Sequence, residues 1–444
     1  MNEQKNLQVN PLPGPSRDDR AGWQAYWQQQ GQLWRSEPEI DSERQHYLTE
    51  RLANTPDVRQ GIYPFKDIKL NRADIEWLLA THENGRGPVD YSDESQRQRV
   101  GLDLRGADLR GVDLHNLPLA RIIGDVTWRE WPDLTEEQHI SAAIHFERAD
   151  LKGAHLEGAE LEYAFFEGTD LRRAHLEDAN LAVTQMQRAY LEGANFTGAD
   201  FWLAHLDEAF IWATNLTDAN LRQTHFQEAH IDRRVILADD VGVGPHLVDA
   251  HLGEVNIASV NWSQVKMLGD EYTARQDKSD GKVKDRQTRL REYEEAVRAN
   301  RQLAIVLHDQ GLNEESARFA YRAQILQRKF LWLQGPHKLG SYLFSLFLAM
   351  LTGYGYRMWR IIIVYAIAVS IFAMLYYSLS LHSGLSLTLE QAYILSITAF
   401  HGRVFSSPFA TGSAQSIVAA CEAVTGLVFE GVFIAMLTQR FFGK

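Results

Sequence analysis

The chain has 444 residues, enough for several domains, and a formal net charge of −13, which disfavours nucleic acid or anionic lipid as the main partner. Its single cysteine, Cys421, excludes a disulfide bond within the chain. Charged residues make up 23% of the sequence but are rare in its last part, so a polar majority precedes an apolar C-terminal region.

The N-terminal part of the chain is polar and leads into a short amphipathic segment. Residues 1–69 are predicted to be a polar or disordered segment, without the basic and apolar pattern of a secretory signal. Residues 70–100 are predicted to be a capping region, in which Asn71–Glu83 has the pattern of an amphipathic helix. We expect this helix to cover the open end of the repeat structure that follows, because the ends of such structures need caps.

A five-residue repeat fills the middle of the chain. From Phe146 to Ile231 a large apolar residue stands at every fifth position, 18 in all. Two positions before each of them the residue is Ala in 13 cases and Thr in four. A period of five fits neither an α-helix nor a β-strand, so it indicates a repeat architecture.

This pattern resembles the pentapeptide-repeat family. The resemblance implies a right-handed quadrilateral β-helix with four repeats per coil, in which residues 20 apart stack on the same face. We expect this β-helix at residues 101–268, with an insertion at 120–142 and a shift of phase by one residue between Ile231 and Leu252. One large and one small side chain per repeat would fill its narrow core.

Four histidines of the repeat region raise the question of a metal site. His155, His175, His205 and His225 are expected to stack along one edge of the coil. Each occupies an outward-pointing position, where polar side chains are simply solvated. The chain also has no phosphate-binding loop and no nucleophile–base pair. We therefore predict no enzymatic activity, no metal site and no cofactor.

Three predicted segments connect the repeats to the apolar C-terminal region. Residues 269–288 are predicted to be a charged, flexible hinge, and residues 289–335 a pair of helices that act as a coupler. Residues 336–356 are predicted to be an interfacial helix and a turn. Thr352–Gly355 looks like a potassium-channel filter, but no apolar span precedes it, so we interpret it as a tight turn.

Residues 357–444 are predicted to be a membrane domain with two transmembrane helices. Ile361–Leu381 and Ile417–Leu437 are 21 residues each, which corresponds to about 31 Å of helix, the thickness of a hydrocarbon core. Leu389–Phe400 lies between them, is too short to cross, and is predicted to be a re-entrant pore helix. Basic residues precede the first span and follow the second. We therefore expect both termini in the cytoplasm and the protein in the inner (plasma) membrane.

The order of span, half-helix and span resembles the two-span potassium-channel superfamily. The resemblance covers about residues 361–444 and implies a pore loop in a homo-oligomer, with a tetramer as the expected form. The candidate pore-loop residues occupy the filter position: Thr398, Phe400, His401, Gly402 and Arg403. Arg403 stands where the potassium filter has an aromatic residue, so potassium selectivity is not predicted.

The charged residues of this region have alternative roles. Arg403 either lines the pore as a ring, which would favour anions, or pairs with Glu422 or Glu390. His401 either makes conduction sensitive to pH or is a packed, hydrogen-bonded side chain. Glu422 either lines the pore or pairs within the protein, since carboxylates inside a span avoid lipid.

Two further residues of the second span complete the predicted site. Glu430 is expected at the aqueous vestibule and Gly426 at a hinge of the inner helix. The sequence thus favours an ion channel with a cytosolic pentapeptide-repeat sensor or tether. Its partners would be further copies of the chain, the lipid bilayer, permeant ions and an unidentified cytosolic protein, and not nucleic acid.

Two other functions compete with the channel. The first is a membrane-anchored scaffold for protein interactions that does not conduct. The second is a DNA mimic, because some pentapeptide-repeat proteins inhibit topoisomerases with an acidic surface. Residues 146–231 carry 15 acidic and 6 basic side chains, a net charge of −9. Attachment to a membrane argues against the DNA mimic.

Overall fold

The computed structural model describes residues 14–126, 133–279, 281–356, 359–383, 387–402 and 413–442. The chain separates into two compact units, Met1–Ala323 and Gln324–Lys444. The first unit contains a coil of five-residue repeats with helices at both ends. The second unit contains the apolar helices.

The N-terminal segment is folded. Its helices are α1 (Arg20–Gln29) and α2 (Ser42–Leu52), followed by α3 (Arg72–Gly85). Trp27, Leu48 and Phe65 are buried. The prediction that residues 1–69 are polar or disordered is therefore wrong for residues 14–69. Buried Trp23 and Trp27 of α1 stand four residues apart, the spacing of one helix face, and the sequence analysis overlooked this short pattern among polar residues.

Helix α3 covers the first coil, as expected. Asn71 and Asp74 form a capping box at its N-terminus, which satisfies two backbone amides. Ile75 and Leu78 are buried in the same apolar cluster as Leu104 of the first repeats. The cap thus removes the first core layer from water.

The repeats form a four-sided coil whose successive turns pair in parallel. On each of the four sides, one residue forms a parallel β-bridge with the residue 20 positions later. The pairs are His145 with Phe165, Asp150 with Asp170, His155 with His175, and Glu160 with Asn180. Two-residue strands form at one of these sides, β1 (Phe210–Ile211) and β2 (His230–Ile231). The predicted pentapeptide-repeat β-helix is confirmed.

The core of the coil consists of stacked columns of side chains. One column contains only buried residues: Phe146, Phe166, Met186, Leu206 and Phe226. The small positions of the repeats are also buried, and their threonines bond the backbone. Thr169 Oγ1 donates to Phe146 O at 2.7 Å, and Thr214 Oγ1 donates to Leu191 O at 2.9 Å. Threonine therefore replaces alanine without an unsatisfied hydroxyl, which would cost about 1–3 kcal/mol.

Each repeat turns the corner through a residue with left-handed backbone. Gly153 has φ of 64°, and the same position in other repeats is occupied by larger residues, such as Val183 with φ of 59°. This conformation costs an L-residue about 1–2 kcal/mol. The stacked core must therefore impose the turn on residues that do not favour it.

The predicted insertion lies within the second turn of the coil. Asp108 pairs with His145, 37 positions later instead of 20. The additional residues include α4 (Glu136–Ala142), which begins with a capping box between Thr135 and Gln138. The coil resumes on the same face, so the insertion leaves the stacking intact.

The phase of the repeat changes after Ile231, as predicted. Asn215 pairs with Ile236, 21 positions later, and Asn220 pairs with His246, 26 positions later. One residue is therefore added before Ile236, and a further five, the length of one repeat, before His246. Two short 3-10 helices follow, Ile257–Ser259 and Trp262–Gln264.

The segment after the coil is folded and held by buried charges. It contains α5 (Gly269–Arg275) and the hairpin strands β3 (Lys278–Ser279) and β4 (Lys282–Val283). Buried Asp270 lies 3.1 Å from Arg222, and buried Glu271 accepts two hydrogen bonds from Arg322 at 2.7 and 2.8 Å. The prediction of a flexible hinge at 269–288 is wrong, because its acidic residues meet arginines 48 and 51 positions away.

A pair of helices packs on the last repeats. These are α6 (Arg286–Asp309) and α7 (Asn313–Gln334). Gln302 Oε1 accepts a hydrogen bond from the Asp249 amide at 2.9 Å. Phe319 packs edge-on against Trp262, with 6.1 Å between ring centroids. The helical pair therefore closes the C-terminal end of the coil.

The described residues of the second unit include four apolar helices. They are α8 (Leu339–Thr352), α9 (Trp359–Ser383), α10 (Leu389–Phe400) and α11 (Ala414–Phe442), and the 3-10 helix Pro336–Lys338 precedes them. Trp359–Leu381 and Ala414–Ala435 are long and apolar enough to cross a membrane. Gly353 ends α8 with φ of 57°, and Thr352 Oγ1 accepts a hydrogen bond from the Gly355 amide at 3.1 Å. The predicted tight turn is confirmed.

Candidate functional site

Helix α10 packs between α9 and α11 along its whole length. Near its start, Ala392 lies in an apolar cluster with Tyr376 of α9 and Val418 of α11. At its end, Phe400 lies in a second cluster with Ile361 of α9 and Phe429 of α11. Helix α10 therefore runs antiparallel to α9 and parallel to α11.

This packing places particular ends of the three helices side by side. Gln415, in the first turn of α11, donates from Nε2 to Leu379 O near the end of α9, at 3.5 Å. Helix α10 begins at the same end, where Thr388 caps it with a capping box to Gln391. The chain thus leaves α9 and runs back beside it through α10. Helix α11 then starts at the end of the bundle where α10 began.

Glu422 joins all three helices at the centre of this bundle. Its side chain is buried, and Oε2 accepts a hydrogen bond from Tyr376 Oη of α9 at 2.7 Å. Its other oxygen, Oε1, is hydrogen bonded to Ser396 Oγ of α10. Ser396 Oγ also lies 3.0 Å from Val369 O of α9. Both carboxylate oxygens therefore have partners inside one chain.

Gly426 lies one turn further along α11 and touches the end of α10. A Cβ atom added at Gly426 would lie 1.6 Å from Phe400 O, far inside van der Waals contact. Glycine is therefore required for α10 to approach α11 this closely. Gly431, on the same helix, has no such neighbour within 4 Å of an added Cβ atom.

The C-terminal end of α10 has an aromatic core and a polar rim. Phe400 is buried and packs edge-on against Tyr365 and Phe429, with centroids 5.1 and 5.5 Å apart. His401 Nδ1 lies 2.7 Å from Glu430 Oε1, and His401 Nε2 lies 3.2 Å from Tyr365 Oη. The His401 and Glu430 side chains are about half exposed, at 42% and 49%.

The other predicted pore-loop residues are distributed along and after α10. Thr398 is exposed in part, and its hydroxyl bonds the carbonyl oxygens of Ile394 and Leu395. Gly402 is exposed, with φ of 65°, and ends α10 through a hydrogen bond from its amide to Ala399 O. Arg403 lies outside the described residues.

The four histidines considered in the sequence analysis lie in two columns of the repeat coil. His155 stacks on His175, with ring centroids 4.7 Å apart, and His205 stacks on His225 at 4.5 Å. The expectation of a single edge is wrong, because 175 and 205 are 30 positions apart and therefore lie on different sides of a 20-residue coil. The hydrogen bond to Glu157 raises the pKa of His155, and burial lowers the pKa of His225.

Sequence analysis missed the residues that complete the Glu422 contacts. Tyr376 and Ser396 are common residue types in apolar helices, and they lie 46 and 26 positions from Glu422. The only available signal was the carboxylate itself, because a buried acid requires partners. Which residues become the partners of Glu422 depends on how the helices pack.

Comparison with known families identifies the repeats. The sequence-family model described as Pentapeptide repeats matches residues 146–182 and 184–223, with eight copies of the repeat. These residues are therefore pentapeptide repeats, as the five-residue period predicts. No curated protein matched the chain.

Solved structures of pentapeptide repeat proteins are similar to parts of the chain. Rfr23 from the cyanobacterium Cyanothece 51142 is 23% identical, the match covers 29% of this chain and 90% of that one, and the TM-score is 0.26. A protein from Nostoc Pcc 7120 is 30% identical, with 22% and 75% covered and a TM-score of 0.16. HetL from Nostoc sp. strain PCC 7120 is 17% identical, with 41% and 95% covered and a TM-score of 0.14. At these TM-scores, the β-helix assignment depends on the family match and the pairing of the coil.

Proposed function

We propose that the protein forms a homo-oligomeric ion channel of the pore-loop type, with the pentapeptide repeats as a cytosolic sensor or tether. In this proposal α9 and α11 cross the membrane and α10 is the re-entrant pore helix. The position of α10 carries the proposal, because it begins where α9 ends and runs back between the two long helices. A simple two-helix anchor does not need such an element.

The buried contacts of α10 support this role. Ser396 joins α10 to α11 through Glu422 and lies against Val369 O of α9, and Glu422 also bonds Tyr376 of α9. Burying a carboxyl group in an apolar bundle costs free energy. Its presence at this position is explained best if it holds α10 in place. Gly426 allows the end of α10 to approach α11. A pore helix requires this kind of rigid attachment.

The end of α10 supplies groups that ions could meet. Helix C-termini carry a partial negative charge of about half an elementary charge, and α10 ends at Phe400. The half-exposed pair His401 and Glu430 lies beside this end. One protomer with two spans cannot enclose a water path, so we propose that these ends meet across several copies of the chain.

Reconstitution of the purified full-length protein in planar bilayers tests the proposal. We expect discrete current steps from the wild type, with a reversal potential in asymmetric salt that gives the sign of the permeant ion. G426A should abolish the steps, because the added Cβ displaces α10. G431A is the matched control and should conduct like the wild type. Currents that are absent from the wild type, or equal in both variants, would contradict the proposed pore helix.

A membrane-anchored scaffold is the second candidate function. The observation that favours it is the acidic exterior of the repeats, with 15 acidic and 6 basic side chains in residues 146–231. Such a surface suits a basic protein partner. Salt-sensitive binding of a basic protein by a protein that stays electrically silent would support the scaffold over the channel.

A further inference from the structure

We propose that His155, Glu157, His175 and Glu177 form a binding site for a divalent transition-metal ion such as Zn²⁺. The four residues lie on one side of two adjacent turns of the repeat coil. The proposal is independent of the channel function, because it concerns the surface of the repeats alone.

The two imidazole rings are already in register. His155 and His175 are bridge partners on successive turns, and their rings are parallel within 3° at 4.7 Å between centroids. Ligand atoms of His155, His175 and Glu157 all lie within 4.8 Å of one another. Tetrahedral zinc with bonds of about 2.0–2.2 Å needs ligand atoms about 3.3 Å apart. Small rotations of the half-exposed histidines close this gap, because their side chains are 49% and 43% exposed.

The carboxylates of this group have spare acceptor atoms. Glu157 Oε1 bonds His155 Nδ1 at 2.8 Å, and Glu177 Oε1 lies 3.4 Å from His175 Nδ1 and accepts a hydrogen bond from Asn195 Nδ2. Within the described part of the chain, Oε2 of Glu157 and Oε2 of Glu177 are buried and have no hydrogen-bond partner. A buried acceptor without a partner is costly, and two carboxylates on neighbouring turns repel each other. A bound cation would satisfy both atoms and remove the repulsion.

The set of donors indicates the class of metal. Two imidazoles and two carboxylates suit zinc and its neighbours in the first transition row, whereas Mg²⁺ and Ca²⁺ prefer oxygen ligands alone. The hydrogen bonds from the histidine Nδ1 atoms to glutamate are also typical of zinc sites, where a carboxylate orients the ring.

A second cluster of similar residues lacks these properties. Asp113, His115 and Asp150 also offer ligand atoms within 4.8 Å of one another. Arg20 and Arg72 both contact the carboxylate of Asp113, at 3.1 and 3.3 Å. These guanidinium groups already neutralise the acid and would repel a metal ion.

The column of His205 and His225 provides a matched control. Its rings stack at 4.5 Å, as in the proposed site. Asp207 lies 3.3 Å from His205 Nδ1, but Gln227 stands on the next turn where the proposed site has a second glutamate. The control therefore has stacked histidines without the pair of carboxylates.

Calorimetric titration of Zn²⁺ into the metal-free full-length protein in detergent tests the site. We expect one Zn²⁺ ion to bind per chain with an affinity that H155A/H175A reduces at least tenfold. E157Q should also reduce the affinity, while H205A/H225A should leave it unchanged. Because the ligands come from two turns of the coil, Zn²⁺ should also raise the melting temperature of the wild type and not that of H155A/H175A.

The circular dichroism spectrum shows whether each variant is folded. All the substituted side chains lie on the outside of the coil, and E157Q keeps the size and shape of the original residue. Zinc affinity that is unchanged in both H155A/H175A and E157Q would overturn the proposal. An equal loss of affinity in H205A/H225A would overturn it as well, because the binding would then not depend on the carboxylate pair.

Discussion

Glu422 is the residue whose environment most constrains the second unit. It is buried and bonds Tyr376 on one side and Ser396 on the other. An amide could make the same contacts, with its oxygen accepting from Tyr376 and its nitrogen donating to Ser396 Oγ. An alanine would leave both hydroxyl groups without their partner. Substitutions at this position therefore separate the effect of bonding from the effect of charge.

We expect E422Q to retain the thermal stability of the detergent-solubilised protein and E422A to lower it. Y376F and S396A should each cost about 1 kcal/mol, the usual contribution of one hydrogen bond. The measurement is the melting temperature at fixed detergent and protein concentrations. E430Q is the control and should have little effect on stability, because Glu430 is 49% exposed. Equal stability of E422A and the wild type would contradict a bonding role.

Among the helices of the second unit, one glycine determines how closely α10 packs against α11. We expect G426A to lower the melting temperature, because its Cβ would lie 1.6 Å from Phe400 O and α10 must move to avoid it. G431A should be neutral or stabilising, since alanine favours a helix over glycine by about 1 kcal/mol. Thermal unfolding of the two variants in one detergent gives the comparison.

Thermal unfolding and current recordings of G426A together separate packing from the predicted hinge at Gly426. A glycine that acts only as a hinge would give G426A altered channel opening with unchanged stability. A glycine required for packing gives loss of stability together with loss of current. A G426A protein as stable as G431A would show that α10 does not contact α11 as described.

At the scale of the whole molecule, the apolar exterior of the second unit requires a partner or lipid. The exposed residues on α9 include Ile367 and Ile371, and those on α11 include Val424 and Leu427. We expect native mass spectrometry of the detergent-solubilised protein to give a homo-oligomer, with four copies as the expected number. Cross-linking in native membranes should give the same number. A monomer under both conditions would contradict a shared pore.

The period of five residues determined the repeat coil from the sequence alone. Each repeat has the same local pattern, and stacking identical units gives one pairing rule for the whole coil. The pairing of His145 with Phe165, 20 positions later, follows from that rule. The apolar lengths of α9 and α11 were also evident, because span length depends only on composition.

The tertiary structure alone decided the features that depend on distant partners. The fold of residues 14–69, the buried acids Asp270 and Glu271, and the neighbours of Glu422 all join residues far apart in the chain. Within a periodic segment a local pattern predicts which side chains are buried, but it does not predict which side chains of different elements meet. Those pairings arise when elements pack, since the free energy of a buried polar group depends on the donors and acceptors brought beside it.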